Sequence, residues 1–347
     1  MSLGLLYTGG TIGSAGVPLT VLHGEDFAER FEALVRPQLP ECFRDVPLEH
    51  IGATVDSTNM GPPDWLDFAR RIAASPHDAL VVLHGTDTMA WTGAALAFLL
   101  RRYDPAGHVT GRLNKRVVLT GSQYPMFGDG GLASDSDGFS NICNALEDAA
   151  GTPSEVLSFG GLTLEAQRSL KTSSTSLTTF QMPNGPGAPF DAPLLGGAEI
   201  AAEIDRLSPY FGHRQVVSIT AAPGTDLAAQ ITGVLDNMAP DLGALHLLGF
   251  GIGNLPGEAM LRPVLTRAAE AGVLLAIGTQ CPAGPVVSAT YGVGHWLAEL
   301  GVMETGDMPW AATQVKLHMC LALGEMNAWQ SADKKAFFAR NIVGELA

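Results

Sequence analysis

A chain of 347 residues exceeds the size at which a single hydrophobic core usually keeps growing, so two domains are expected. Its 46% hydrophobic and 16% charged residues fill globular interiors and exclude a linker or tail. A net charge of −15, with few lysines, excludes the clustered basic surface that nucleic acid requires.

Strand-like and helix-like runs alternate from the start. Strands are expected at residues 3–7, 49–55, 79–83 and 115–120, and helices at 24–35, 63–74, 87–102 and 139–150. Such alternation predicts an α/β fold, with an N-terminal domain built on a mainly parallel sheet flanked by helices. In Gly61-Pro62-Pro63-Asp64 a proline stands in the first helical turn and an acid follows, which suits the positive end of the helix dipole. The stretch 182–197 is too rich in Pro and Gly for a helix or a central strand, and 199–207 has no strong pattern of its own. Residues 186–212 therefore read as an interdomain linker between domains at 1–185 and 213–347. Beyond it, strands at 215–220, 244–250 and 273–277 and helices at 227–238, 258–271 and 311–324 predict a smaller C-terminal α/β domain.

Cys42, Cys143, Cys281 and Cys320 share no CxxC spacing, which suggests neither a zinc knuckle nor a disulfide framework; they read as reduced, mostly buried thiols. The start MSLGLLYTGG has no basic n-region, and no apolar run is long enough to span a bilayer. A cytoplasmic protein with no membrane partner is the expectation.

Four apolar runs in the first third each stop on small hydroxylic or acidic residues: LLYTGGTIG, ATVDSTN, LVVLHGTDTM and RVVLTGSQYP. A parallel sheet sets the carboxyl ends of its strands along one edge, so Thr11, Asp56, Ser57, Thr86, Asp87, Ser122 and Gln123 are expected around one crevice. Glycines in Gly9-Gly10-Thr11 let backbone amides face a ligand below the Thr11 hydroxyl, although a plain glycine turn with a capping Thr fits the spacing equally well. His84-Gly85-Thr86-Asp87-Thr88 opens a helix, where orphan amides favour an oxyanion; a simple cap explains one polar residue there but not three. Asp56 and Ser57 suit an amino group, yet alone they read as a turn. Lys171 is isolated from other lysines, and most such lysines are simply solvated.

No GxSxG elbow, P-loop or HExxH occurs, so serine-hydrolase, nucleotide and zincin chemistry lack their parts. Asp135-Ser136-Asp137-Gly138 lacks the spacing and terminal Glu of a calcium loop, and in 249–254 Asn254 stands where a dinucleotide loop needs glycine. The nine histidines are scattered and read as satisfied or exposed side chains.

Together, TGGTIG at 8–13, HGTDTM at 84–89 and TGSQ-P at 120–125 resemble the L-asparaginase family, in its cytoplasmic type I-like branch, and the similarity runs on through SDGFSNICNAL, GxGN and TQC. The resemblance implies hydrolysis of L-asparagine to L-aspartate and ammonia with no metal and no cofactor. It implies Thr11 as nucleophile, Thr86, Asp87 and Lys171 as a second triad-like group, and substrate contacts from Gly10, Asp56, Ser57, Gly85 and Gln123. It further implies a homodimer or homotetramer in which the C-terminal domain of a partner completes the site, with Asn254 as the candidate contribution. The chemistry is reasonable in itself: a threonine hydroxyl needs a base, an Asp-anchored Lys serves as one if burial lowers its pKa, and the amide oxygen needs donors.

The sequence departs from its relatives in three places. Members usually carry a tyrosine on a mobile loop after the first motif, whereas SAGVPLTVLHGED has Val17 there; either Tyr124 takes the role, or activation rests on Thr86, Asp87 and Lys171, the reading favoured here. The Gly-rich stretch 126–134 reads as a replacement lid or as a floppy insertion. Leu248 stands where cytoplasmic relatives can carry an effector-binding arginine, although Cys281 fits, so no cooperativity through that site is expected. The same residues leave open glutamine, a D-amino acid amide or another small amide as substrate, and an inactive amino-acid-binding protein.

Overall fold

Ala79–Leu83 (ALVVL) is buried at every position, the signature of a strand covered on both faces, and it stands inside a six-stranded sheet. The computed structural model describes residues 1–51, 54, 56–128, 130–287 and 295–347. Across the sheet the order is Leu162–Glu165, Ser154–Phe159, Arg116–Thr120, Ala79–Leu83, Leu3–Tyr7 and Leu48–His50. All neighbours are parallel except Leu162–Glu165, which returns antiparallel along Ser154–Phe159. Helices Pro62–Ala74, Met89–Leu99 and Gly138–Asp148 form the crossovers. At the first of these, the Asp64 carboxylate accepts from the Gly61 amide at 2.8 Å, as the sequence pattern suggests.

The second strand lies on one side of the first and the third on the other. This places a topological switch point between Leu3–Tyr7 and Ala79–Leu83, where chain leaving the carboxyl ends diverges and opens a crevice.

The chain divides into two compact units: residues 1–102, 110–182 and 191–204 form the first, and 103–109, 183–190 and 205–347 the second. The second unit holds its own parallel sheet, Gln215–Thr220, Leu242–Gly249, Leu274–Thr279 and Met303–Glu304 in sequential order. Helices Leu227–Met238, Glu258–Glu270 and Trp310–Met326 accompany it. Its core includes Leu245, Leu247, Ile277, Leu261 and Leu265.

Several local expectations need correction. The helix expected over 87–102 is shorter, Met89–Leu99, because Arg101–Tyr103 turns into a strand. The strand expected at 49–55 is Leu48–His50; Gly52, Ala53 and Val55 lie outside the described residues. The stretch 186–212 is structured: Leu194–Leu195 pairs with Arg112–Leu113, and Gly197–Leu207 is a helix that buries Ile200, Ile204 and Leu207. The i, i+4 and i+7 spacing of those three residues is the signal that was overlooked. The four thiols are unpaired, but they are not mostly buried: Cys42 and Cys281 are exposed, Cys143 is half-buried, and Cys320 alone of the four is buried. No helix among the described residues is long and apolar enough to cross a membrane.

In the second unit Lys316 and Glu345 are both 0% exposed and meet at 2.5 Å. Lys316 Nζ also donates to the Arg340 carbonyl, while Glu345 accepts from the Ile342 and Val343 amides. Burial pushes the Lys316 pKa down and the Glu345 charge opposes that shift. Glu345→Gln leaves the ammonium without its counter-charge, and the expected loss is about 3–5 kcal/mol in urea denaturation.

Candidate active site

Two glycines bring the first and third strand ends together. A Cβ on Gly10, which has φ +89°, would lie 2.2 Å from the Gly85 Cα, and a Cβ on Gly85 would lie 2.5 Å from the Ser57 Oγ. Side chains at either position would hold these loops apart. Thr8 reinforces the approach, its amide and its hydroxyl both donating to the Leu83 carbonyl at 3.0 Å. The residues that follow each glycine, Thr11 and Thr86, therefore emerge from neighbouring backbone. Thr11 is half-buried in a single 3-10 turn, and Thr86 is buried. Neither the Thr11 nor the Thr86 amide has a hydrogen-bond acceptor among the described residues. Such unspent donors at strand ends suit a developing oxyanion.

Lys171 reaches the same place from far along the chain. Its Nζ donates to Thr86 Oγ1 at 2.8 Å and to Asp87 Oδ1 at 2.7 Å. It stands on the short strand Leu170–Lys171, paired with Phe180–Gln181, and Phe180 packs edge-on against Phe159 at the end of its own strand. Nζ is thus delivered by a hairpin pinned to the sheet. This lysine is not the solvated one that its isolation suggested: its side chain is 18% exposed against 58% for Asp87.

Asp56 caps a 3-10 turn, accepting from the Thr58 amide and hydroxyl at 3.0 Å, while Ser57 is buried against Gly85. Ser122 donates to the Tyr124 carbonyl at 2.5 Å. Gln123 Nε2 donates to the Ser174 carbonyl at 2.5 Å, and its Oε1 is buried with no partner among the described residues. The backbone of this loop is held by Asp137, which accepts from the Gln123 amide at 2.9 Å and the Tyr124 amide at 3.1 Å. Asn141, one helical turn on, donates to Asp137 and to the Gly121 carbonyl. In the sequence Asp137 stands in a segment that lacks calcium-loop spacing, and its i, i+4 partner Asn141 at the start of Gly138–Asp148 is the local signal of this network.

His84 is fully buried, its Nδ1 lying 2.7 Å from the Gly85 carbonyl and its Nε2 lying 3.0 Å from the Thr92 hydroxyl. Burial pushes its pKa down to about 4, so it is a neutral structural imidazole.

No tyrosine of the first motif is available to Thr11. Tyr7 is spent in the core, stacked on Phe27 at 3.7 Å with its hydroxyl donating to the Leu22 carbonyl. Val17 stands fully exposed between the short strands Ser14–Ala15 and Thr20–Val21. Val17 and Tyr124 line one groove of about 1120 Å³. Its far wall belongs to the stretch 126–134, which is a hairpin of Phe127–Gly128 and Gly131–Leu132, Asp129 lying outside the described residues. This hairpin is anchored: Met126 is buried, and Phe127 packs edge-on against Phe27 at 5.8 Å.

Asn254 belongs to the second unit, where its backbone bridges to Phe250 and its side-chain Oδ1 is buried with no partner among the described residues. Leu248 is buried less completely than its neighbours in the strand Leu242–Gly249, and Cys281 is exposed just beyond Leu274–Thr279. Among the described residues, no three His, Cys, Asp or Glu side chains gather to hold a metal ion.

Residues 2–190 match the family model of the asparaginase N-terminal domain, and residues 216–331 that of the glutaminase/asparaginase C-terminal domain. The chain is 31% identical over 365 residues to L-asparaginase 1 of Escherichia coli (strain K12), covering 99% of this chain and 98% of that one. Among solved structures it is similar to the thermostable L-asparaginase from Thermococcus kodakarensis, with a TM-score of 0.77, 27% identity and coverage of 100% and 99% of the two chains. It is likewise similar to L-asparaginase I from Vibrio cholerae, with a TM-score of 0.72, 28% identity and the same coverage.

The buried imidazole gives the site a pH signature. Because the folded His84 pKa lies near 4 against an ordinary 6.5, the unfolded chain takes up the proton first. Stability is complete above about pH 6.5 and is lost as pH falls through about 4, by up to about 3 kcal/mol from this residue. Urea midpoints measured from pH 7 to 4 should fall, and the fall should be shallower in His84→Gln.

Proposed function

The chain belongs to the asparaginase family, and from that membership we infer that it hydrolyses the side-chain amide of L-asparagine to L-aspartate and ammonia. The single observation that supports the chemistry is the Lys171 ammonium bonded at once to Thr86 Oγ1 and Asp87 Oδ1 beside the Gly10–Gly85 approach.

In this reading Thr11 Oγ attacks the amide carbon, and the carbonyl electrons move onto oxygen, met by the free amides of the glycine-rich strand ends. Thr11 gives up its hydroxyl proton to the Thr86 oxygen, whose own hydrogen passes to the amide nitrogen, so that when the tetrahedral intermediate collapses the C–N bond breaks and the nitrogen leaves as ammonia. Water then cleaves the Thr11 ester and releases aspartate. Lys171 donates to Thr86 Oγ1 and so leaves the Thr86 hydroxyl hydrogen free to serve the leaving nitrogen or to orient water. The exposed Asp87 carboxylate holds Nζ in place. Asp56 and Ser57, with Gln123, take the charged α-amino and α-carboxyl end of the substrate, and Gly10 and Gly85 line the remainder.

The working assembly in this reading is a homodimer or homotetramer in which Asn254 of a partner subunit offers its spare Oδ1 to the substrate. The unpaired cysteines fit the reducing cytoplasm.

Ammonia release from L-asparagine, L-glutamine and D-asparagine is the test, run on wild type and on Thr11→Val, Thr86→Val and Lys171→Met. L-Asparagine should be turned over, and each variant should lose roughly 10³-fold or more in kcat. A Thr11→Val enzyme with wild-type turnover removes the nucleophile assignment. Glutamine turnover within tenfold of asparagine broadens the substrate, since one methylene is worth only about 1–3 kcal/mol.

A further inference from the structure

Asp137 has no role assigned above, yet it is 7% exposed and its carboxylate collects three donors. The Gln123 amide lies 2.9 and 3.0 Å from its two oxygens, the Tyr124 amide lies 3.1 Å from Oδ1, and Asn141 Nδ2 lies 2.9 Å from Oδ2. Two neighbouring amides are thus fixed to one side chain, so the loop that carries Gln123 has little freedom to swing. From this held backbone the Gln123 side chain spans to the Ser174 carbonyl, three residues beyond Lys171.

A second link runs the same way. Asn141 Oδ1 accepts from the Gly160 amide at 3.1 Å, and Gly160 packs so closely on Leu177 that a Cβ there would lie 2.4 Å from the Leu177 carbonyl oxygen. Ser174 and Leu177 both belong to the turn between Leu170–Lys171 and Phe180–Gln181. The Asp137–Asn141 pair therefore ties the carboxyl end of the strand Arg116–Thr120 to the hairpin that delivers Lys171. One polar atom of this network is left over: the buried Gln123 Oε1, an acceptor without a donor among the described residues. A buried acceptor that the protein leaves unpaired is suited to an N–H from a bound molecule.

We propose that Asp137 is a positioning residue of this site, acting through Gln123, whose Oε1 it holds in place to accept an N–H of the α-ammonium group of an amino-acid amide substrate. The proposal rests on the hydrolase reading for its substrate, and its geometry is independent of which threonine is the nucleophile. Because Gln123 makes its contact in the ground state and the transition state alike, its loss acts on binding rather than on the chemical step.

The experiment compares wild type with Gln123→Met, Asp137→Asn, Asp137→Glu and the double variant Gln123→Met/Asp137→Asn. Readouts are KM and kcat for ammonia release from L-asparagine, the Kd of L-aspartate by calorimetry, and the melting temperature. Gln123→Met should raise KM and Kd roughly tenfold with kcat nearly unchanged, and each Asp137 variant should shift them in the same direction. The double variant should be no worse than the worse single one, because the two residues act in series. Unchanged KM and Kd in Gln123→Met, effects that multiply in the double variant, or an Asp137→Asn protein that only melts earlier would each overturn the proposal. If neither Asp137 variant folds, Gln123→Met on its half-buried side chain decides the outcome by the same KM and Kd criterion. A wild type that releases no ammonia sinks the hydrolase reading alone; aspartate Kd then decides, with a shift in Gln123→Met supporting the proposal and unchanged or absent binding overturning it.

Discussion

Backbone approaches backbone at Gly10 and Gly85 more closely than any side chain allows, and the arrangement of the first unit's polar residues follows from that contact. In a doubly wound sheet the carboxyl ends of neighbouring strands already point the same way, but ordinary loops with Cβ atoms would stand apart. Glycine at both positions lets the loops touch, sets Ser57 against the second of them, and leaves Thr11 and Thr86 one residue away on either side. The amides there have no partner among the described residues, the reverse of the usual rule for backbone near a core. Donors left unpaired at the point of closest approach suit a bound oxygen.

Around that point the protein anchors its polar groups from outside. Lys171 arrives on a hairpin fixed by Phe180 against Phe159, and Gln123 arrives on a loop held by Asp137. Neither side chain depends on its own loop for position; each is held by a side chain from another segment. His84 belongs to the same scheme, a neutral ring locked between the Gly85 carbonyl and the Thr92 hydroxyl directly under the third strand end. Rigid support of this kind is what catalytic geometry demands, because small displacements of reacting groups are costly in rate.

The groove beside this rigid centre is different in character. It is bounded by two short hairpins, of which the 126–134 hairpin is pinned by Phe127 against Phe27, while Val17 and Tyr124 are exposed. With Tyr7 consumed by the core and no other tyrosine in the first motif, nothing on the Val17 hairpin supplies a phenol to Thr11. The chemistry proposed here therefore draws on Thr86, Asp87 and Lys171.

Much of this was legible in the sequence because periodicity and glycine placement are local properties. The alternation of apolar strands with amphipathic helices specified a parallel α/β sheet, and small hydroxylic residues at strand ends marked the crevice, since both depend only on neighbours in the chain. The helix Gly197–Leu207 was missed because the Pro- and Gly-rich stretch before it masked three core-facing positions, Ile200, Ile204 and Leu207. What the sequence alone left open was which distant groups meet. Lys171, which by its own sequence context read as solvated and which only the family resemblance linked to Thr86 and Asp87, is carried 84 residues back to Asp87 by its pairing with Phe180–Gln181, and the carboxylate of Asp137, a residue with no local signal of its own role, closes on the amides of another loop. Hydrogen bonds of this kind join segments far apart in sequence, and their partners are fixed by strand order and packing, which exist only once the chain has folded.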